Sequence, residues 1–201
     1  MKLATPEAFA SDPEAVLNFY DLRRRNLRKA EPNAAHRALA RLEQALISRG
    51  AGLTLVTQNI DDLHERAGSA RVIHMHGELL KARCGGCSAV RPWLDDLNVS
   101  HICPDCGVAG ALRPHVVWFD EMPMCMDDID RALRKASLFV AIGTSGAVYP
   151  AAGFVAEARA YGLPTCEINL EAADNAGLFD ERRYGPASET VTALVDGLLG
   201  G

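Results

Sequence analysis

Leu138-Phe139-Val140-Ala141-Ile142-Gly143-Thr144-Ser145-Gly146 passes from five apolar residues straight into a polar turn bounded by glycines. A run that short and apolar reads as a strand buried on both faces. A helix from about Ala151 to Tyr161, ended by Gly162, and a strand over Thr165–Leu170 follow it. Strand, helix, strand is the unit of a parallel α/β sheet, because parallel neighbours need a long crossover. Ligands of such sheets sit beyond the C-terminal ends of the strands. Three polar clusters fall there: Gly143–Ser145, Asn169–Glu171 and Gln58–Asp61, the last directly after a strand expected at Leu53–Thr57.

Upstream, Asp12-Pro13-Glu14 is a helix start, with a capping carboxylate, proline at the first position and an acid at the positive dipole end. That helix is expected to reach about Ala30. A second begins at Asn33, places Ala35, Leu39, Leu42 and Leu46 on one face, and stops at Gly50. Val72–His74 is a short strand leading into His74-Met75-His76-Gly77. Helices are also expected over Met126–Ala136 and from near Ser188. Residues 80–112, rich in cysteine and glycine, read as an insertion. The expected division is residues 1–79 and 113–201 as a Rossmann-like domain, 80–112 as a small zinc-ribbon domain, and 10–32 as a helical segment.

The 201 residues, 48% of them hydrophobic, suffice for one well-buried core. A net charge of −5 disfavours general nucleic-acid binding, which needs a basic face. No apolar run approaches membrane-spanning length, and the start lacks a basic-then-apolar leader. A cytoplasmic monomer is expected. In a reducing compartment the six cysteines read first as metal ligands or free thiols.

Cys84-x2-Cys87, fifteen residues, then Cys103-x2-Cys106 is the spacing of two zinc knuckles. A two-residue gap lets both sulfurs of a pair face one point, and Gly85-Gly86 and Pro104-Asp105 supply tight turns. Four thiolates leave zinc no open position, so one structural Zn2+ is expected. Disulfides or chance spacing are the competing readings. Cys125 and Cys166 lie outside the pattern, and Cys166 reads as a small buried apolar residue.

Thr57-Gln58-Asn59-Ile60-Asp61, His74-Met75-His76-Gly77-Glu78, the cysteine pairs, Leu112-Arg113-Pro114-His115-Val116-Val117-Trp118-Phe119, Gly143-Thr144-Ser145 and Asn169-Leu170-Glu171 occur in that order. This series, spanning nearly the whole chain, resembles the sirtuins, NAD-dependent protein-lysine deacylases. The resemblance implies a Rossmann-like α/β fold with an inserted zinc domain, and NAD+ as co-substrate. It implies that the acyl-lysine carbonyl oxygen attacks C1′ of the nicotinamide ribose, nicotinamide departs, and the acyl group moves onto the ribose. His76 would take a proton from the ribose hydroxyls, a task suited to imidazole. Asn59 joins it as a catalytic residue. His74, two residues earlier on a strand and so on the same face, is the local rival.

For NAD+ the resemblance implies Gln58, Asn59, Ile60 and Asp61 on the nicotinamide ribose and carboxamide side. It implies Gly143, Thr144, Ser145, Asn169, Leu170 and Glu171 on the adenosine side, with Ala187 as a late backbone contact to adenine. Val116, Trp118 and Phe119 belong to the segment that adds the substrate as a strand. Where the family continues Phe-Gly-Glu, this chain has Phe119-Asp120-Glu121, aspartate being among the residues that best tolerate a positive φ. Tyr20 and Arg23, at i and i+3 on one helix face, match the Tyr-x-x-Arg of sirtuins that prefer succinyl, malonyl or glutaryl lysine. A phenol beside a guanidinium can hold a carboxylate. With Arg24 and Arg25 following, a solvated basic face is the competing reading.

The family's opening strand and Gly-Ala-Gly-x-Ser segment, which cradle pyrophosphate, have no counterpart in these residues; Gly50-Ala51-Gly52 precedes the wrong strand and lacks the serines. The sheet is therefore expected without its central strand. The alternative function is a sirtuin with weak or no NAD turnover that acts as a binding protein.

Overall fold

The computed structural model describes residues 3–200; the outermost ends of the expected domain ranges, residues 1, 2 and 201, lie outside the described residues. In chain order the elements are α1 (Pro6–Ser11), α2 (Pro13–Leu27), α3 (Ala34–Ser48), β1 (Leu55–Thr57), α4 (Leu63–Arg66), β2 (Val72–His74), β3 (Gly77–Cys84) and β4 (Val90–Pro92). They continue with β5 (Leu112–Val116), α5 (Met126–Lys135), β6 (Phe139–Ile142), α6 (Phe154–Ala160), β7 (Thr165–Asn169), β8 (Glu181–Tyr184) and α7 (Ala187–Gly200).

The helix starts follow local chemistry. The Asp12 carboxylate accepts the Ala15 N–H at 2.9 Å, and Pro13 takes the first helical position of α2. Asn33 caps α3 and His36 bonds back to the Asn33 N–H, closing a capping box. Helix α1 and strand β8 were not expected from the sequence. α1 is short, and β8 (Glu-Arg-Arg-Tyr) has no apolar alternation to mark it.

The chain separates into two compact units. One comprises residues 3–31, 57–63 and 74–124, and the other residues 32–56, 64–73 and 125–200. This grouping differs from the expected division. The cysteine-rich segment 80–112 groups with its flanks, because β3 begins and β5 ends outside it and α2 packs on both strands.

In the first unit, β4–β3–β5 form an antiparallel sheet. The β3–β5 register shifts between Glu78 and Ala82, beside Pro114, which has no N–H to offer the ladder. Two apolar clusters lie under the sheet. Val16, Tyr20, Leu27, Leu79, Val116 and Trp118 make one, and Leu17, Ala82, Cys84, Leu97, Cys103 and Leu112 the other.

In the second unit, β6–β7–β8 form the expected parallel sheet, with Phe139 opposite Thr165 and Cys166 opposite Glu181. Ala35, Ala38 and Leu42 of α3 pack with Val191, Leu194 and Val195 of α7 over Cys166 and Ile168. Strands β1 and β2 pair separately, and among the described residues no strand joins them to β6. The sheet, expected without its central strand, is in two parts, β1–β2 and β6–β7–β8. Among the described residues no helix is long and apolar enough to cross a membrane.

Candidate active site and metal centre

The four sulfurs of Cys84, Cys87, Cys103 and Cys106 all lie within 4.8 Å of one another. Cys84 and Cys106 sulfurs are 3.7 Å apart, and those of Cys87 and Cys103 3.8 Å. A tetrahedron with Zn–S bonds of ~2.3 Å has edges of ~3.8 Å, whereas a disulfide would bring sulfurs to ~2.05 Å. The geometry fits one zinc ion and no disulfide. Both knuckles share one backbone pattern. Cys84 N–H bonds Ala89 O while Ser88 N–H bonds Cys84 O; Cys103 N–H bonds Val108 O while Gly107 N–H bonds Cys103 O. Backbone N–H groups of Cys87 and Gly86 draw the Cys84 thiol down to about 7. Despite the N–H of Ala89, burial and the neighbouring sulfurs push Cys87 up to about 12. Four thiolates in so small a space call for a divalent cation. Cys166 is buried in β7 as expected, and Cys125 is exposed.

His76 lies in the two-residue turn between β2 and β3, so the same-face argument that made His74 its rival fails: the chain is not extended from 74 to 76. Gly77 makes that turn. Its φ is +83°, and a Cβ there would stand 2.1 Å from the His115 carbonyl oxygen. The His76 carbonyl accepts from Val117 N–H at 2.9 Å. Its ring donates Nδ1–H to the Gln58 carbonyl at 3.0 Å. A carbonyl only accepts, so the proton sits on Nδ1 and the Nε2 lone pair is left for base chemistry. The loop that carries Asn59 is tied by Asn59 N–H to Thr57 Oγ1 (3.1 Å), Leu63 N–H to Asp61 Oδ1 (3.1 Å) and Leu79 N–H to Ile60 O (2.8 Å). The Asn59 side chain is exposed. Ile60 and Asp61 also line a cavity of about 230 Å³ with Glu78, Leu80 and Lys81, which Tyr20, Arg23 and His76 do not line.

In the second unit, Gly143, Thr144, Ser145, Asn169 and Glu171 line one cavity of about 250 Å³, completed by Ala172, Ala173 and Asp174. Gly143 has φ +62° and nothing within 4 Å of a Cβ position, so its backbone stays open to a ligand. The Asn169 amide ties the cluster together, donating to Thr144 O at 2.8 Å and accepting from Leu170 N–H at 2.9 Å. Buried Glu167 accepts from Ala173 N–H at 2.8 Å and so holds the following loop, a role its place in an apolar strand did not signal. Leu170 and Ala187 do not line this cavity. Leu170 is exposed, and Ala187 starts α7 and packs on the core beneath it.

Tyr20 is 4% exposed and stacks on Trp118 with ring centroids 6.4 Å apart. Burial pushes its phenol pKa up, opposed by the Trp118 indole, Arg23 and Arg113. Arg23 is exposed, with its guanidinium 5.0 Å above the Phe19 ring. The solvated reading of the arginine run holds for Arg25 but not for Arg24, which is buried.

The backbone of the Val116–Phe119 segment is bonded within the first unit. Val116 pairs with Gly77, Val117 N–H goes to His76 O, Trp118 N–H to Glu121 Oε2 (2.8 Å) and Phe119 N–H to Ala4 O (3.0 Å). These donors are spent within the chain. Asp120 adopts φ +71°, the conformation anticipated for a position where glycine is usual. Glu121, which sequence reasoning left without a role, takes a bidentate pair from Arg113 at 2.6 and 2.9 Å. Arg113 in turn lies 3.3 Å from the Trp118 ring centroid.

Comparison with known proteins supplies an independent reading. The model of the Sir2 family matches residues 1–150. An NAD-dependent protein deacylase of Caulobacter vibrioides is 59% identical over 198 residues, covering 98% of this chain and 83% of its own. One of Leishmania major is 54% identical over 201 residues, covering 98% and 82%. Among solved structures, a Sir2 homologue–NAD complex superposes with a TM-score of 0.89 at 38% identity, covering 98% of this chain and 76% of its own. Sir2 bound to acetylated peptide gives 0.84 at 28% identity, covering 98% and 84%.

Proposed function

The chain belongs to the Sir2 family of NAD-dependent protein deacylases, and from that premise we propose that it prefers lysine acyl groups ending in a carboxylate, succinyl and malonyl, over acetyl. It uses NAD+ as co-substrate, and its products are nicotinamide and O-acyl-ADP-ribose. The deacylase names of relatives that match nearly the whole chain favour an enzyme over the binding-protein alternative.

The observation that carries the acyl preference is the phenol of Tyr20 and the guanidinium of Arg23 one helical turn apart on α2. Arg23 is exposed and free to swing onto a carboxylate, while Tyr20 is held by Trp118. When bound, NAD+ supplies the electrophilic ribose carbon and the nicotinamide leaving group. His76 Nε2 takes the ribose hydroxyl proton, its ring fixed by Gln58 O. Gln58, Asn59, Ile60 and Asp61 bind the nicotinamide ribose and carboxamide. Gly143, Thr144, Ser145, Asn169, Leu170, Glu171 and Ala187 serve the adenosine. Supporting this assignment, five of these seven line one polar cavity. Val116, Trp118 and Phe119 contact substrate, and of the three only Phe119 is exposed. Cys84, Cys87, Cys103 and Cys106 hold a structural zinc ion. The enzyme acts as a cytoplasmic monomer without nucleic-acid or membrane partners.

The test compares NAD+-dependent deacylation of one peptide carrying succinyl-lysine or acetyl-lysine. Faster succinyl removal is expected, with the preference lost in Arg23→Met. Equal or preferential acetyl turnover by the unaltered protein overturns the assignment.

A further inference from the structure

Two interleaved i, i+3 pairs share one stretch of α2: Tyr20 with Arg23, and Asp21 with Arg24. The second pair is buried, Arg24 at 1% and Asp21 at 3% exposure, and forms an ion pair through Arg24 Nη1. Each member also reaches a distant backbone. The Asp21 carboxylate accepts the Leu97 N–H at 3.0 and 3.1 Å, on the segment between the two cysteine knuckles. Arg24 Nε donates to the Leu79 carbonyl at 3.2 Å.

Leu79 is available because of the register shift between Glu78 and Ala82, which takes its peptide out of the β3–β5 ladder. Its N–H goes to Ile60 O at 2.8 Å, inside the Gln58–Asp61 loop. One residue is thus bonded on one side to the loop beside His76 and on the other to the helix of Tyr20 and Arg23. The chain of contacts runs Leu97, Asp21, Arg24, Leu79, Ile60 without a break, all within the first unit.

Stability alone does not account for this arrangement. A buried ion pair can be exchanged for apolar residues of like volume with little loss, and Arg24 Nη2 has no partner among the described residues. What a rigid guanidinium fork adds is direction.

We propose that Asp21 and Arg24 are positioning residues of the reaction: together they set where the Tyr20–Arg23 turn stands relative to the Gln58–Asp61 loop. This rests on the reading of Tyr20 and Arg23 as the acyl-carboxylate grip. A turn of α2 that loosens Arg24 moves that grip and releases the Leu79 peptide on which the loop leans.

The experiment uses the full chain carrying Arg24→Lys, which keeps the charge beside Asp21 but loses the fork, and the double variant Asp21→Leu/Arg24→Met. Zinc content, steady-state kinetics on succinyl and acetyl peptides, and amide hydrogen exchange at Leu79 are measured. Both variants are expected to keep their zinc. KM for the succinyl peptide should rise roughly tenfold while kcat changes far less, the pattern of lost substrate positioning. Exchange at Leu79 should accelerate roughly tenfold as its local protection falls. Should the double variant not fold, Arg24→Lys carries the test by itself. Unchanged succinyl KM and unchanged Leu79 exchange in a folded, zinc-bearing Arg24→Lys overturn the proposal. Failure of the acyl assignment is separable: it appears as no succinyl preference in the unaltered protein, whereas the Leu79 exchange response does not depend on which acyl group is preferred.

Discussion

The imidazole of His76 donates its Nδ1–H to the backbone carbonyl of Gln58 at 3.0 Å. A main-chain acceptor cannot be removed by substitution at Gln58, so the tautomer is built into the fold. With the His76 carbonyl also bonded to Val117 N–H, ring and backbone are both fixed.

Replacing His76 with alanine should lower turnover by ~10²- to 10⁴-fold, the range of a lost general base. Folding should be little affected, since the ring is only half-buried. Nicotinamide release with an acylated peptide is the readout. A loss below tenfold would move the proton transfer to another group.

Gly77→Ala and Gly50→Ala should differ sharply although both glycines have positive φ, +83° and +73°. At Gly50 a Cβ meets nothing within 4 Å, so only the left-handed strain of ~1–2 kcal/mol applies. At Gly77 it meets the His115 carbonyl at 2.1 Å, adding backbone displacement to that strain. Urea midpoints should rank unaltered protein above Gly50→Ala above Gly77→Ala. The reverse order would contradict the described turn.

Glu121 makes the first unit sensitive to acid. Partial burial alone would raise its pKa, but the Arg113 guanidinium and the Trp118 N–H outweigh burial and hold it below the ordinary 4.5. A carboxylate depressed in the folded state contributes stability that is fully present above its unfolded pKa and is lost as pH falls through the folded one. Stability should therefore decline below about pH 4.5 in the unaltered protein, and less steeply in Glu121→Gln. At neutral pH the variant should be weaker by about 1–3 kcal/mol, having lost charge-assisted bonds. Acid titration of tryptophan fluorescence, which Trp118 reports, distinguishes parallel from diverging curves.

Thiol reactivity should resolve three classes. Cys125, exposed and outside the cluster, reacts in the native protein, while Cys166 reacts only after unfolding. A zinc chelator should release the four clustered thiols and disorder residues 80–112, because those bonds are folding energy for the module. Activity should fall with them although zinc takes no part in the chemistry. Retention of fold and turnover after complete chelation would refute the structural assignment.

Much was legible in order and spacing. The two cysteine pairs announced a tetrahedral site because a two-residue gap constrains the sulfurs locally. Asp12 and Asn33 announced helix starts because capping acts within one turn. Asp120 could be read as a position of unusual backbone only through the resemblance, where the family has glycine.

Other features depend on partners far along the chain. Arg23, Arg24 and Arg25 are one run of identical residues, yet only Arg24 is buried, because its direction on α2 meets the Leu79 carbonyl and the buried Asp21 carboxylate. Glu121 gained its role from Arg113, and nothing local in Val116–Phe119 shows that Ala4 and His76 accept N–H groups of this segment. The sequence by itself determined the family and the four clustered cysteines, since motifs and knuckles are local in spacing. Only the tertiary structure decided which His76 nitrogen carries the proton, which arginine is buried and which backbone groups bond Leu79. Those depend on which backbone groups meet after packing, and hydrogen bonds between distant segments leave no period in the sequence.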